Sequence, residues 1–179
     1  MVKAAIESCS QVSLYHAPAD ENIEVGIFAC GCFWGTQHQF QKQYGVLNTL
    51  VGYTGGKEAF PTYADVRDHK TKHVEAVIVE FNPNLVSYEN LCKLFFEIHD
   101  PAQTDGVGPD IGAQYCSCIF YRNESQKQTA EHVMQILRDM GDEVNTLLEA
   151  NPISNQFEIA AMNIEYDFGL KAEDVAGYK

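Results

Sequence analysis

The sequence of 179 residues has no apolar run of about 18 residues, which is the length that a membrane-spanning helix requires. Residues 1–22 carry a single Lys and no apolar stretch that leads to a small-residue cleavage site, so we expect no secretory signal. These absences predict a cytoplasmic protein in which residues 1–22 form an irregular lead-in.

Basic residues are scarce as well. There are 12 Lys and Arg residues against 25 Asp and Glu, which gives a formal net charge of −13. Such a surface repels the phosphates of nucleic acid and anionic lipid, and no basic cluster overrides this repulsion. We therefore expect neither nucleic acids nor membranes as partners.

Cysteine is absent beyond residue 118. The six cysteines are Cys9, Cys30, Cys32, Cys92, Cys116 and Cys118. Without a secretory signal a reducing compartment is the default, so we expect no structural disulfides. Two Cys-x-Cys units, with His69 and His73 as further candidate ligands, leave a metal site open as an alternative, although paired zinc ligands are usually separated by two to four residues.

The most informative stretch is the run GCFWG at residues 31–35, which includes the single tryptophan. An apolar run at 25–29 precedes it and a helical pattern at 36–44 comes after it, so Cys32 is predicted on a tight turn at a helix N-terminus. Backbone N–H groups and the helix dipole favour an anion there, which predicts a lowered pKa for the thiol. The two aromatic residues of the run can form an apolar pocket beside the sulfur. The run therefore predicts a nucleophilic cysteine that acts on a small, partly apolar substrate.

Residue periodicity predicts alternating strands and helices without repeats or linkers. The strands are predicted at 25–29, 46–53, 73–81, 114–122 and 143–149, and the helices at 36–44, from Pro61 or Thr62, at 87–99 and at 124–140. The Gly- and Asp-rich segment 100–112 is a candidate binding loop. The order predicts an α+β fold, a split βαβ (ferredoxin-like) two-layer sandwich with helices packed on a mixed or antiparallel sheet. We expect a single domain over 1–179, with its core at 23–150 and an irregular C-terminal tail at 151–179.

Glu75 stands out in the clearest strand pattern. Alternation over 73–81 places it on the same face as Val77 and Val79, which are typical core residues. A buried glutamate has to be paired, neutral or functional, because an isolated carboxylate is costly to remove from water.

Together these motifs resemble the peptide methionine sulfoxide reductases of type A. After GCFWG, the family's further motifs occur in order over roughly residues 25–150 as GYTGG at 52–56, PTY at 61–63, HVE at 73–75, HDP at 99–101 and GPDIGAQY at 108–115. The resemblance implies reduction of methionine sulfoxide, free or in proteins, with selection of the S epimer at sulfur.

The resemblance also implies roles for individual side chains. Cys32 would attack the sulfoxide sulfur and become a sulfenic acid, while Glu75 would protonate the sulfoxide oxygen. Tyr63 and Tyr115 would hydrogen-bond that oxygen as negative charge develops.

Three further residues would contact the substrate. Phe33 and Trp34 would hold the methyl group, and Asp110 would bind polar atoms of the substrate backbone or position water. No bound cofactor is implied. The reductant would be an external thiol, thioredoxin or a similar protein in the cell and dithiothreitol in vitro.

The chain departs from the family pattern in ways that bear on recycling. Lys72 stands before His73 where the family usually has Gly, and Cys116 comes after Tyr115 where it usually has Arg. No cysteine occurs in the divergent segment 157–179, where resolving cysteines are common in the family. The sulfenic acid is therefore resolved by an external thiol or by an internal cysteine, for which Cys116 and Cys118 are ranked ahead of Cys30, with Cys9 also a candidate.

Two other classes of protein stay open. A metal-binding or redox-sensing module built on the Cys-x-Cys pairs would purify with zinc or copper and show no turnover. A binding protein that retained the sulfoxide pocket but lost recycling would release one equivalent of methionine and then stop.

Overall fold

The computed structural model describes residues 13–14, 20, 22–150 and 157–159. Its strands are β1 (Ser13–Leu14), β2 (Glu24–Ala29), β3 (Val46–Thr54), β4 (Val74–Phe81), β5 (Gly106–Val107), β6 (Asp110–Ile111), β7 (Cys118–Tyr121), β8 (Leu147–Ala150) and β9 (Glu158–Ile159). Its helices are α1 (Phe33–Gln41), α2 (Tyr63–Arg67), α3 (Tyr88–Glu97) and α4 (Glu124–Asp139), with a 3₁₀ turn at Ala113–Tyr115. None of the described helices is long and apolar enough to cross a membrane.

Seven strands form one mixed sheet in the order β1-β9-β3-β4-β2-β7-β8. All neighbouring pairs are antiparallel except β7 and β8, which run parallel. Within this sheet β2-α1-β3 and β4-α3-β7 are two interleaved βαβ units with the strand order β3-β4-β2-β7. The predicted split βαβ arrangement is confirmed.

The helices pack on one face of the sheet. The cluster on that face combines strand residues such as Phe28 and Val79 with Phe40 of α1, Phe95 of α3 and Val133 of α4. A second cluster occupies the other face of the sheet; it consists of Val25, Ile27, Ala29, Val74, Ala76, Ile78, Cys118, Phe120 and Phe157. The alternation of each strand therefore decides which layer a side chain enters.

Two predicted element boundaries differ from the structure near functional residues. Helix α1 begins at Phe33 rather than at residue 36, so Cys32 itself is the N-cap. The predicted strand 114–122 begins only at Cys118, because Tyr115 donates its N–H to the Gly112 carbonyl and turns the preceding residues into a 3₁₀ turn.

Both terminal segments that were expected to be irregular contribute a short strand. Strand β9 pairs with β3 at Gly52 and Tyr53, and β1 pairs with β9. Two-residue strands carry no readable alternation, which is why the sequence does not reveal them. Apart from residues 20, 22 and 157, the rest of the predicted lead-in and tail lies outside the described part, and the single-domain assignment stays a prediction.

Candidate active site

Cys32 lies at the turn between β2 and α1. Its carbonyl accepts the Thr36 N–H at 3.2 Å, and the Thr36 hydroxyl reaches the carbonyl oxygens of Cys30 at 3.1 Å and Cys32 at 3.3 Å. Gly31 has a φ of 82°, and a Cβ there would lie 3.0 Å from the Val107 side chain. A glycine is therefore needed at 31 for both the backbone angle and the close approach of the loop.

A cavity of about 340 Å³ opens beside this turn. Its lining residues come from the β2–α1 turn, from α1 itself, from the end of α3 and from the loop 100–112, and they include Cys32, His99 and Asp110. The fold thus brings the predicted nucleophile and the predicted substrate-binding aspartate to one cavity, although the two residues are far apart in the chain.

Glu75 lies on the helix-covered face of β4, opposite Tyr53 of β3. Its side chain is buried, and its Oε2 accepts the N–H of Phe33 at 3.1 Å. Burial and the nearby Asp110 charge raise the pKa of Glu75 to about 7, against the opposing effect of the Phe33 N–H. The raised pKa favours the neutral form that a buried glutamate was expected to adopt, and the carboxyl is tied to the residue directly after Cys32.

The predicted fall of the Cys32 pKa is wrong. Burial is the largest influence and raises the pKa of the thiol, with further increases from the Glu75 and Asp110 charges. The backbone N–H groups of Trp34 and Gly35 act in the opposite direction, as expected at a helix N-terminus, but they are outweighed. The prediction failed because the sequence shows the helix N-terminus but neither the burial of the thiol nor the carboxylates near it.

Tyr63 and Tyr115 lie in the same electrostatic neighbourhood. Burial raises the pKa of Tyr115 to about 12, and the charges of Glu75, Tyr63 and Asp110 contribute to the increase. The Gln114 side chain hydrogen-bonds Tyr115 and lowers this pKa. At neutral pH Tyr115 keeps its phenolic proton and can donate a hydrogen bond.

The two aromatic residues after Cys32 differ in burial. Phe33 is in the core, with its ring centroid 5.8 Å from that of Tyr53. Trp34 is half-buried, and its ring centroid lies 6.4 Å from that of Phe33. Neither residue belongs to the lining of the 340 Å³ cavity, so the cavity walls alone do not reveal a contact with the substrate.

The other cysteines divide between the two faces of the sheet. Cys30 is buried on the helix-covered side, with its sulfur 3.2 Å from the Thr36 hydroxyl. Cys118 and the half-buried Cys116 pack with the cluster on the opposite face, where they line a separate cavity of about 640 Å³. The sheet therefore lies between Cys118 and Glu75, which speaks against ranking Cys118 first as the resolving thiol. Cys9 lies outside the described residues.

The candidate metal ligands are not assembled. Among the residues that the structure describes, no three His, Cys, Asp or Glu side chains are grouped closely enough to hold a metal ion. His73 is buried, with Nδ1 3.9 Å from the Glu58 carboxylate.

His99 is a half-buried polar residue at the cavity for which sequence reasoning gave no role. It lines the cavity, and its Nε2 lies 2.8 Å from the Ser117 hydroxyl. The motif HDP at 99–101 marked His99, but its partner could not be read from spacing.

Comparison with known proteins agrees with the motifs. The family model described as "Peptide methionine sulfoxide reductase" matches residues 24–167. An MsrA of Methanosarcina acetivorans is 45 % identical over 135 residues, which cover 75 % of this chain and 72 % of the relative. An MsrA of Dickeya dadantii is 42 % identical over 156 residues, covering 85 % and 72 %.

Solved structures show the same fold. Reduced Mxr1 from Saccharomyces cerevisiae superposes with a TM-score of 0.74 at 27 % identity, covering 85 % of this chain and 86 % of that one. Methionine sulfoxide reductase A of Corynebacterium diphtheriae gives a TM-score of 0.70 at 28 % identity, covering 86 % and 78 %. The chain therefore belongs to the peptide methionine sulfoxide reductase family and is an oxidoreductase of the MsrA type, which reduces methionine sulfoxide at the expense of thiols.

Proposed function

We propose that Cys32 and Glu75 carry out the reduction of methionine S-sulfoxide as nucleophile and general acid. The observation that carries this proposal is the hydrogen bond from the Phe33 N–H to Glu75, because it holds the acid beside the nucleophile's own turn. A pKa of about 7 leaves Glu75 partly protonated near neutral pH, as a proton donor at that pH requires.

The step transfers one oxygen atom. The Cys32 sulfur attacks the sulfoxide sulfur while Glu75 gives its proton to the sulfoxide oxygen. The substrate's sulfur–oxygen bond then breaks and the hydroxyl group is transferred to the Cys32 sulfur as the transient sulfur–sulfur bond breaks. Methionine leaves with its sulfur reduced by two electrons, and Cys32, oxidised by two electrons, is left as a sulfenic acid. The thiol proton passes to the Glu75 carboxylate and restores the acid.

Tyr63 and Tyr115 donate hydrogen bonds to the sulfoxide oxygen as its negative charge grows. The electrostatic influence of Tyr63 and of Glu75 on Tyr115 supports a shared position around this oxygen. Stabilisation of this kind acts mainly in the transition state, so both tyrosines are expected to affect kcat.

Asp110 binds polar atoms of the substrate, while Phe33 and Trp34 hold its methyl group. Asp110 lines the same cavity as Cys32, and Trp34 is half-buried two residues after the nucleophile. Since an asymmetric pocket of this kind places the methyl group and the oxygen on different walls, it accepts one epimer at sulfur. Free methionine sulfoxide and oxidised proteins are both substrates in this proposal.

An external thiol protein of the thioredoxin type reduces the sulfenic acid directly. Among the described cysteines, Cys116 and Cys118 pack on the far face of the sheet, Cys92 is buried within α3, and a bond from Cys30 to Cys32 would close a very small ring. A related yeast protein, Mxr1, has been crystallised in complex with Trx2. We place this reaction in the cytoplasm, where such reductants keep thiols reduced.

The test is a single turnover of reduced protein with excess S-sulfoxide and no reductant. Counting the methionine released against the thiols lost should give one thiol per methionine, and dimedone should trap the sulfenic acid on Cys32. Two thiols lost per methionine would contradict direct reduction, and peptide mapping would then identify the partner, Cys9 included. Release of methionine without turnover on adding thioredoxin would instead indicate a binding protein without recycling.

The same experiment separates the metal-binding alternative. A module of that class would release no methionine and would purify with zinc or copper, which elemental analysis detects.

A further inference from the structure

The loop formed by residues 100–116 carries both Asp110 and Tyr115 from the end of α3 to the start of β7. We propose that His99, Ser117 and Thr146 form a hydrogen-bonded clasp that closes the base of this loop and positions Asp110 and Tyr115 for the reaction. The inference rests on the roles of Asp110 and Tyr115 proposed above, and it assigns a positioning role to residues that touch no reacting atom.

His99 forms the first half of the clasp. Its Nδ1 lies 2.6 Å from the Phe95 carbonyl oxygen, which can only accept, so Nδ1 carries the proton. Its Nε2 then accepts a hydrogen bond from the Ser117 hydroxyl at 2.8 Å. The ring also contacts the rings of Phe95, at 4.5 Å between centroids, and Phe96, at 6.4 Å. Burial lowers the pKa of His99, which keeps the imidazole in this neutral form.

Ser117 and Thr146 form the second half. Their hydroxyl oxygens are 2.8 Å apart and both side chains are buried. Since Ser117 donates to His99, its oxygen accepts the hydroxyl proton of Thr146, and the three groups form one directed chain. The N–H of Leu147 also donates to the Ser117 carbonyl at 3.0 Å.

Residues 145–147, which bind Ser117, also bind the opposite end of the loop. The backbone N–H of Asn145 donates to the Pro101 carbonyl at 2.8 Å, and its side-chain Nδ2 donates to the Ala102 carbonyl at 2.8 Å. Residues 145–147 therefore bind the first residues of the loop and the residue directly after its end. The clasp fixes the distance between the two ends.

The loop needs such an external constraint. Glycines at 106, 108 and 112 adopt φ values of 152°, 59° and 140°, and glycine gives the backbone wide freedom. Inside the loop, the Gly108 N–H donates to the Gln103 side-chain oxygen at 2.7 Å, and the Gln103 Nε2 donates to the Gly108 carbonyl at 3.2 Å. Strands β5 and β6 pair antiparallel and form a hairpin that carries Asp110. The Gln103 contacts order this hairpin, and the clasp fixes its position relative to the sheet that carries Glu75.

The clasp is tested by a double-mutant cycle with Ser117→Ala and Tyr115→Phe, assayed as kcat/KM on free S-sulfoxide with dithiothreitol. We expect each single change to lower kcat/KM by about 10-fold or more, since small misplacements of reacting groups are costly. If Ser117 acts through Tyr115, the fold-loss in kcat/KM of the double variant is clearly smaller than the product of the fold-losses of the two single variants.

A matched control removes a buried hydroxyl elsewhere. Thr49 is buried in β3 and accepts a hydrogen bond from Gln41 at 3.0 Å, so Thr49→Val costs a comparable internal bond away from the loop. It should leave kcat/KM within about 2-fold and combine additively with Tyr115→Phe. Thr146→Ser, which keeps the hydroxyl, should retain activity that Thr146→Val loses.

The outcomes separate the clasp from the proposed chemistry. If Tyr115→Phe loses activity but Ser117→Ala does not, or if the two losses multiply, the clasp is wrong and the role of Tyr115 stands. If Tyr115→Phe and Asp110→Asn both keep full activity, their proposed roles are wrong and the clasp falls with them. Should Ser117→Ala fail to fold, the exposed Asn145→Ala takes its place, with a smaller loss and the same non-additivity expected.

Discussion

The chain contains two Cys-x-Cys units that differ in almost every physical respect. Cys30 and Cys32 come directly after β2 and lead into α1, and both line the 340 Å³ cavity together with Asp110. Cys116 and Cys118 lead into β7 and line the 640 Å³ cavity on the opposite face of the sheet. The spacing within each unit is the same, so the spacing does not decide the chemistry.

The two units differ in the element that begins at the second cysteine and in the charged groups that face it. Cys32 is the N-cap of a helix, where two backbone N–H groups act on the sulfur, and Glu75 supplies an acid within its electrostatic reach. Cys118 is buried in a strand, where burial and the charge of Glu149 raise the pKa of its thiol well above the ordinary value. The pKa of both thiols is raised, but Cys118 is fully buried whereas Cys32 is half-buried beside the cavity, so Cys118 is the less reactive thiol.

The largest effect should come from replacing one cysteine of each unit. Cys32→Ser should reduce reductase activity at saturating dithiothreitol by at least about 10³-fold, because the reaction loses its nucleophile. Cys118→Ser is the matched control and should keep the wild-type rate if it folds, which circular dichroism checks. Appreciable turnover by Cys32→Ser would overturn the assignment.

Glu75→Gln should slow the sulfoxide step by about 10²-fold or more, because the amide cannot give up a proton. The wild-type rate of this step should fall as pH rises through about 7, where Glu75 loses its proton, whereas the variant's rate should show no such fall. Single-turnover methionine release from pH 5.5 to 8.5 measures both. Glu149→Gln, near Cys116, is the control, and a similar loss there would contradict a specific acid at 75.

The same substitution should change stability in a pH-dependent way. The folded-state pKa of Glu75 is raised from an ordinary value of 4.5 to about 7, so ionisation costs folding stability as pH rises between these values. At pH 8, Glu75→Gln should therefore be more stable than wild type by about 3 kcal/mol, and most of the difference should disappear at pH 5. Denaturant unfolding at both pH values measures it, and an equal difference at both would exclude this cause.

Trp34→Ala should have the smallest effect, a rise of about 10-fold in KM with a lesser change in kcat, because it removes an aromatic wall of the site. Alkylation of Cys32 by iodoacetamide should proceed at nearly the same rate in the variant. Trp34 is the single tryptophan of the chain, so its fluorescence reports directly on substrate binding. Unchanged emission during proven turnover would place the ring away from the substrate.

The sequence alone determined the local features. Alternation in 73–81 predicted that Glu75 shares a face with Val77 and Val79, and the structure has all three on the helix-covered side. The pattern around GCFWG predicted a strand, a turn and a helix, and all three are present, although α1 begins at Phe33 and ends at Gln41 rather than spanning 36–44. Such features depend on residues that are neighbours within one helix or strand, where the direction of each side chain follows from the period of 3.6 or 2 residues.

Only the tertiary structure decided the features that depend on distant residues. The pKa of Cys32 is raised by its burial and by Glu75 and Asp110, which come close to a helix N-terminus that acts in the opposite direction. Cys118 is set apart from the site because β7 pairs with β2 in the register that places it beside Ala29, on the face away from the helices. The pairing of His99 with Ser117 likewise joins the two ends of a loop. Electrostatic effects, strand register and loop closure depend on contacts between different elements. The residue pattern within a single element therefore does not predict them.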